Sequence, residues 1–213
     1  MFDSQAKYPT PREFTEWLQT ERFGDLVDRW VFGGAVYAFD QEPEAEDLLI
    51  SHLAQRLGTE RGNIRIVGSA KLGFSLSPDT FSRRFSEDSD IDVIVVDRDL
   101  FDTVWHSVLR WNYPRRQDRL IAPDFRFREA RAHEIYWGWL QPDQIEFAHV
   151  SYVSLLTSVQ ELQARWFEVF RSLGRSQHFA RRDVSGRLYR SWDFARLYHE
   201  NGLRLIGSPK PPI

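Results

Sequence analysis

Two stretches of the chain decide its fold: IRIVGSAKLGFSLS at 64–77 and SDIDVIVV at 89–96. The first opens with a short β-branched run, Ile64–Val67, and the second contains Ile91–Val96, the clearest strand pattern in the sequence. Short apolar runs bounded by turn residues or acids are typical of buried strands. We therefore expect two core strands, one ending at a Gly-Ser pair and the other beginning directly after Ser-Asp.

The segment between these strands combines a turn, a short helix and a loop. Gly68 and Ser69 follow the first strand directly, and a glycine there permits a tight turn into a helix around Ala70–Leu76. Residues 77–89 are polar and rich in turn formers, which indicates a surface loop. The exposed N–H groups at the start of the short helix favour an anion such as a phosphate.

Two acids at the start of the second strand are the main candidates for chemistry. Side chains two apart on a strand point to the same face, so Asp90 and Asp92 present adjacent carboxylates while Ile91 and Val93 point to the core. Adjacent carboxylates repel each other unless a cation lies between them. Mg²⁺ fits this role, because it is bound by one or two carboxylates together with water and phosphate oxygens.

The order of these features resembles that in the polymerase-beta-like nucleotidyltransferase superfamily. The residues at 68–77, together with those at 89–93, look like the sequence of a small bacterial branch of that superfamily. The resemblance implies an α+β fold, with a mixed sheet flanked by helices on one side and with N-terminal and C-terminal helical additions. It also implies two-metal transfer of a nucleoside monophosphate from an NTP. Asp90 and Asp92 would then hold two Mg²⁺ ions. The residues that would contact the nucleotide are Gly68, Ser69, Lys71 and Ser89.

The chain departs from the family pattern in the spacing of its motifs. Twenty residues separate Ser69 from Asp90, more than the family's usual spacing. This predicts a longer helix-loop insert that carries Lys71, Arg83 and Arg84.

A third carboxylate is also expected on a later strand, and Glu146 and Asp183 are both candidates. Glu146 lies between Ile145 and Phe147, an alternation that suits a strand with the acid on one face. Asp183 follows two arginines, 181 and 182, which are able to pair with it as an ordinary surface acid. We therefore predict Glu146 as the third catalytic acid, within metal-bridging reach of Asp90 and Asp92.

Charge is unevenly distributed, although the whole chain carries only −3. Residues 85–102 carry −6, whereas 110–131 carry +4 and 165–190 carry +5. Of the 28 basic residues 25 are arginines, whose planar guanidinium binds phosphate bidentately. Basic stretches of this kind are also found on ordinary solvated helix faces. A second hypothesis follows, in which a catalytically weak module with this fold binds RNA or a partner protein through its arginine-rich faces.

The length of 213 residues and the 42% hydrophobic content predict a single folded domain, 1–213. We divide it into an N-terminal helical segment (1–60), a nucleotidyltransferase-like core (61–206) and a tail (207–213). Helices are expected at 10–19, 43–57, 158–173 and 191–206, and residues 113–150 are expected to be irregular. Residues 184–190 fit either a strand or the approach to the last helix.

The remaining composition narrows the class of protein. The absence of cysteine excludes disulfide scaffolds and thiol nucleophiles and fits a cytoplasmic location. No apolar run approaches the length of a membrane span, so a membrane is not expected among the partners. The expected partners are a nucleotide and an acceptor, which is a protein, an RNA or a second nucleotide. Resemblance also links small bacterial members of the superfamily with toxin-antitoxin and anti-phage systems.

Overall fold

The computed structural model describes residues 7–115, 120–175 and 182–207. Within them the chain is an α+β protein with a four-stranded mixed sheet in the order β1-β2-β4-β3. The strands are β1 (Ile64–Val67), β2 (Ile91–Val96), β3 (Trp139–Leu140) and β4 (Val184–Tyr189). β1 pairs with β2 in antiparallel fashion, β2 with β4 in parallel, and β3 with β4 in antiparallel fashion. The expected α+β class and mixed sheet flanked by helices are confirmed.

Helices make up most of the rest of the described chain. They are α1 (Pro11–Thr20), α2 (Phe23–Leu26), α3 (Pro43–Leu57), α4 (Gly68–Leu72), α5 (Arg98–Asn112), α6 (Ala122–Trp137), α7 (Thr157–Gly174) and α8 (Trp192–Gly207). α2 continues into a π-helical segment, Val27–Phe32. α3 ends as its sequence predicts, because Gly58 adopts a left-handed conformation at the helix end. No helix among the described residues is long and apolar enough to cross a bilayer.

One face of the sheet carries the larger core. Its residues alternate along the strands and include Ile66, Val93 and Leu188. The apolar faces of α3, α5 and α7 pack against them, through side chains such as Leu53 and Trp166. This is the helical layer that the sequence predicts.

The opposite face is also covered by helices, so the expected one-sided cover is wrong. Val67, Ile94 and Tyr189 lie on this face, in one cluster with α1, α2, the π-helical segment and α8. The terminal helices form this second layer because their apolar residues, among them Phe14 and Leu203, have no other surface to cover. The layer stops short of the end of β1, and a cleft remains there.

Two local expectations need correction, and one open assignment is resolved. The short helix spans Gly68–Leu72 rather than 70–76, because Gly73 adopts a left-handed conformation (φ +84°) and ends it. Residues 113–150 are not irregular throughout, since α6 and β3 lie within them. α6 accommodates Pro123 because proline fits the first turn of a helix, where its missing N–H costs no hydrogen bond. The ambiguous segment at 184–190 forms strand β4.

Candidate functional site

The cleft has a volume of about 560 Å³ and lies where β1 ends, on the face covered by the terminal helices. Gly68 and Ser69 form one edge of it, and Asp92 and Ser185 lie on the adjoining strands. The predicted Gly-Ser pair and the second acid of the Asp-x-Asp motif therefore meet in one cleft. Other contributions come from the loop after α4, from β4 and from one side of α8.

Gly68 and Asp92 are packed so closely that a side chain at position 68 has no room. Gly68 has φ +68°, a left-handed conformation that glycine adopts without strain. A Cβ atom at this position would lie 2.7 Å from Oδ2 of Asp92. The pairing of β1 with β2 sets this approach, because Val67 is opposite Asp92 in the antiparallel register. The glycine thus fixes where the carboxylate of Asp92 lies.

The carboxylate of Asp92 is in an unfavourable electrostatic environment. Burial raises its pKa above the ordinary value, and the negative charge of Asp90 raises it further. Two groups oppose this effect: the hydroxyl of Ser185, which donates a hydrogen bond to Oδ1 at 2.9 Å, and the positive charge of Arg187. A cation bound to Asp92 would lower this pKa, so the carboxylate pair fits a divalent metal such as Mg²⁺.

Asp90 and Ser89 lie just outside strand β2, and neither lines the cleft. Asp90 is exposed and directly precedes β2. Ser89 has a local structural role, because its hydroxyl accepts a hydrogen bond from the backbone N–H of Ser86 at 3.0 Å. The guanidinium of Arg182 binds the carbonyl oxygens of this turn, among them that of Glu87 at 2.9 Å. The turn that presents Asp90 is thereby tied to the start of β4.

Lys71 is directed away from the cleft. Its side chain is buried, with only 3% exposed, and Nζ donates a hydrogen bond to the carbonyl oxygen of Gly34 at 2.6 Å. Burial lowers its pKa to about 8, which the nearby carboxylate of Glu46 partly offsets. Lys71 therefore ties α4 to the segment after the π-helix, and it does not line the cleft where a phosphate ligand is expected.

Glu146 does not lie on a strand, which corrects the premise on which it was predicted as the third acid. It follows a short 3₁₀ helix, Pro142–Gln144, in a segment without regular structure. Its flanking residues do contact the core, since Ile145 is buried and Phe147 packs on Phe127. The charge of Glu146 acts on Arg131 of α6 rather than on the Asp90–Asp92 pair.

Asp183, the other candidate, is nearer along the backbone. Its carbonyl oxygen accepts a hydrogen bond from the N–H of Ile91 at 2.9 Å, beside Asp90. However, its Oδ1 lies next to Gly174 at the end of α7, 3.5 Å from where a Cβ there would be. Across the three described ranges, no group of three or more His, Cys, Asp or Glu side chains is placed to hold a metal ion. Within these ranges, neither acid forms a group of three with Asp90 and Asp92.

Two cleft residues on β4 are absent from the sequence predictions. The parallel register places Ser185 opposite Asp92 and Arg187 opposite Ile94, so both side chains share the face of Asp92. The guanidinium of Arg187 lies over the rings of Trp139 at 4.8 Å and Tyr198 at 4.5 Å. The sequence of 184–189 alternates too weakly to indicate this face, so the position of both residues depends on the register with β2.

The wall formed by α8 is mainly aromatic and apolar, with Asn201 as a polar residue in it. Burial lowers the pKa of His199 to about 4, so its ring is neutral at physiological pH. Its Nε2 is buried and has no hydrogen-bond partner among the residues that the structure describes. Leu203 and the buried Val31 of the π-helical segment add apolar surface. The cleft thus has a polar side at Gly68, Ser69 and Asp92 and an apolar side at α8.

Comparison with known proteins adds no information to these observations. No protein-family model matches the chain, and neither a curated protein nor a solved structure matches it.

Proposed function

We propose that this protein binds a nucleoside triphosphate with Mg²⁺ in the cleft and transfers its nucleoside monophosphate to an acceptor hydroxyl. The observation that carries the proposal is the contact between Gly68 and Asp92. It places a carboxylate suited to a metal directly beside a backbone turn that has no side chain to block a phosphate. Asp90 is the second carboxylate, and Ser69 offers a hydroxyl and a backbone N–H at the same edge.

The two sides of the cleft suit the two ends of a nucleotide. The polar side would take the phosphates, and the apolar side, where Tyr198 and Leu205 line the cleft and are exposed, would take the base and sugar. A cleft of about 560 Å³ is within the size range of small-molecule sites. The chemistry of the proposed step is then largely positioning and charge stabilisation.

In the proposed step an acceptor hydroxyl oxygen forms a bond to the α-phosphorus. The bond from that phosphorus to the bridging oxygen breaks, pyrophosphate leaves with the electron pair, and the hydroxyl proton passes to solvent. Mg²⁺, when bound, supplies positive charge to the triphosphate and lowers the pKa of the attacking hydroxyl. Asp90 and Asp92 would hold it.

A second candidate function is nucleotide binding without transfer. The residue type at the position on β4 opposite Asp92 favours it. That position holds Ser185, and Arg187 follows on the same face, so β4 supplies a hydroxyl and a cation but no acid there. A third carboxylate usually helps to hold the metal that activates the attacking oxygen. Without one, such a site would retain a nucleotide and transfer slowly.

The test uses each of the four NTPs in two forms, labelled at the α- or the γ-phosphate, with Mg²⁺ and with or without total RNA and cell protein. Transfer of the nucleotidyl group moves the α label to the acceptor and leaves the γ label in pyrophosphate. Asp90→Asn and Asp92→Asn should abolish transfer while circular dichroism shows a folded chain. Asp88→Asn, an exposed acid in the same loop, is the matched control and should transfer normally.

The possible results separate the two candidates. Binding of NTP with the α label remaining on the nucleotide would support the binding module and contradict transfer. Movement of the γ label alone would indicate a kinase, and absence of NTP binding would contradict both candidates.

A further inference from the structure

The cleft contains a cation that the resemblance does not assign, and this inference rests on the proposed function. A bound triphosphate brings several negative charges, which need a positive partner besides the metal. Lys71 is held by Gly34 and does not line the cleft. Arg187 lines it, but its guanidinium already lies between two aromatic rings and faces Asp92. A further cationic group that lines the cleft is therefore a candidate for this work.

The loop after α4 is an ordered hairpin that forms one wall of the cleft. The N–H of Ser75 donates to the carbonyl oxygen of Arg83 at 2.8 Å, and the N–H of Ser82 donates to that of Ser75 at 3.1 Å. Inside the hairpin, the hydroxyl of the buried Ser75 lies 2.9 Å from that of Thr80. A backbone bridge between Phe74 and Arg84 closes the base of the hairpin. Much of the long segment between the Gly-Ser motif and the Asp-x-Asp motif is therefore an ordered hairpin.

Arg83 is the cationic side chain of this wall. It lines the cleft together with Ser69, Ser77 and Thr80, all of which carry hydroxyls. Its backbone is fixed at both ends, because its N–H donates to the carbonyl oxygen of Thr80 at 3.0 Å and its own carbonyl accepts from Ser75. Within the described residues, no ion pair or side-chain hydrogen bond holds its guanidinium. The adjacent Arg84 does not line the cleft.

We infer that Arg83 binds the β- and γ-phosphates of the substrate, in the role expected of Lys71. The hairpin then acts as the wall that selects a triphosphate over shorter phosphates and nucleosides. A guanidinium suits this task because it binds phosphate oxygens bidentately, and the wall hydroxyls supply further donors. The ligand class of this wall is a polyphosphate chain.

The experiment measures binding by calorimetry for the full chain, with MgATP, Mg-tripolyphosphate and adenosine as the three probes. Arg83→Ala should weaken MgATP and Mg-tripolyphosphate about tenfold or more, the size expected for lost hydrogen bonds to a charged group. Binding of adenosine should be unchanged. Arg84→Ala is the matched control, with the same loss of charge one residue away, and should bind all three probes as the wild type does.

The outcomes distinguish this inference from the proposed function. Wild-type binding of MgATP with no effect of Arg83→Ala, or an equal effect of Arg84→Ala, would overturn the role of Arg83 and leave the nucleotide site standing. Equal weakening of adenosine would also overturn it, because the residue would then support the whole cleft. If the wild type binds neither Mg-tripolyphosphate nor any of the four NTPs with Mg²⁺, the proposed function fails and this inference fails with it.

Discussion

Gly68 is the residue at which backbone geometry and the candidate chemistry meet. Its φ of +68° is strained for any other residue, and a Cβ there would lie 2.7 Å from Oδ2 of Asp92. We expect Gly68→Ala to lower the free energy of unfolding by about 1–2 kcal/mol from the left-handed backbone alone. It should also displace the carboxylate, so affinity for both Mg²⁺ and NTP should fall. Chemical denaturation and calorimetry measure the two effects.

Gly62→Ala provides the control for this substitution. Gly62 lies just before β1, and its φ is outside the left-handed region. A Cβ added there would have no neighbouring atom within 4 Å. It should therefore change neither stability nor ligand affinity appreciably. The sequence alone suggests a loss of NTP binding only, because it does not reveal the contact between Gly68 and Asp92. Unaltered Mg²⁺ affinity in Gly68→Ala would show that this contact does not position the carboxylate.

The raised pKa of Asp92 gives a pH dependence with a definite sign. Between the ordinary pKa of 3.8 and the raised value, the folded protein retains a proton that the unfolded chain has lost. This contribution therefore favours folding at low pH and is lost as the pH rises through the raised pKa. Mg²⁺ needs the deprotonated carboxylate, so its affinity should rise over the same range.

Asp92→Asn isolates this effect. The variant should lose Mg²⁺ binding, and its stability relative to the wild type should rise as the pH increases from 3.8 through the raised pKa of Asp92. At neutral pH it should be at least as stable, because a buried charge has been removed. Thermal unfolding across a pH series measures the difference. A stability difference between the two proteins that does not vary with pH would contradict the raised pKa.

At the scale of elements, the contact between β4 and α7 depends on a second glycine. A Cβ at Gly186 would lie 2.2 Å from the ring of Phe170, so α7 packs directly on the backbone of β4. Gly186→Ala should destabilise the fold by about 1–3 kcal/mol through overpacking. Because β4 carries Ser185 and Arg187, the substitution should also weaken ligand binding in the cleft. Denaturant unfolding provides the measurement.

The double variant Gly186→Ala with Phe170→Leu tests the cause of that effect. A smaller side chain at 170 leaves room for the new methyl group, so the two substitutions should be less costly together than the sum of their separate effects. Strict additivity would mean that the ring and the glycine do not compete for the same space.

The elements that could be predicted from the sequence are those that a short continuous stretch of residues specifies. β1, β2 and α3 each have an apolar pattern, and turn or cap residues such as Gly58 mark where α3 ends. α6 was obscured because Phe125, Tyr136 and Trp137 are exposed, which spreads aromatic residues over its surface and weakens the helical period. β4 was ambiguous because Val184–Tyr189 alternates only weakly and leads directly towards a helix.

The residues of the candidate site also fall into two groups, those that a local motif predicts and those that it does not. Gly68, Ser69, Asp90 and Asp92 are near in sequence, and their motif places them together. Ser185 could not be found, because its partner Asp92 is 93 positions away and depends on the register between β2 and β4. Glu146 was misplaced because an apolar-acid-apolar triplet also fits a segment that only anchors its flanking residues in the core.

At the scale of the whole molecule, the cleft exists because two layers of helices cover the sheet to different extents. The layer of α3, α5 and α7 covers one face, whereas the terminal helices leave the end of β1 open on the other. The site therefore joins parts that are distant in the chain, since α8 and the hairpin of Arg83 both line it. The sequence indicates helical additions at both ends, but it does not indicate that they build a wall of the cleft.

The central claim is that the metal and the nucleotide bind at Gly68, Asp90 and Asp92. Its most direct test is a crystal structure of the wild-type protein with Mn²⁺ in place of Mg²⁺ and a non-hydrolysable NTP, with the anomalous signal of manganese locating the metal. We expect a manganese peak about 2.1 Å from carboxylate oxygens of Asp90 and Asp92, as in octahedral sites of this kind, and the triphosphate against Gly68 and Ser69. A manganese peak or a triphosphate bound elsewhere on the protein, with the Asp90–Asp92 pair free of metal, would contradict the claim.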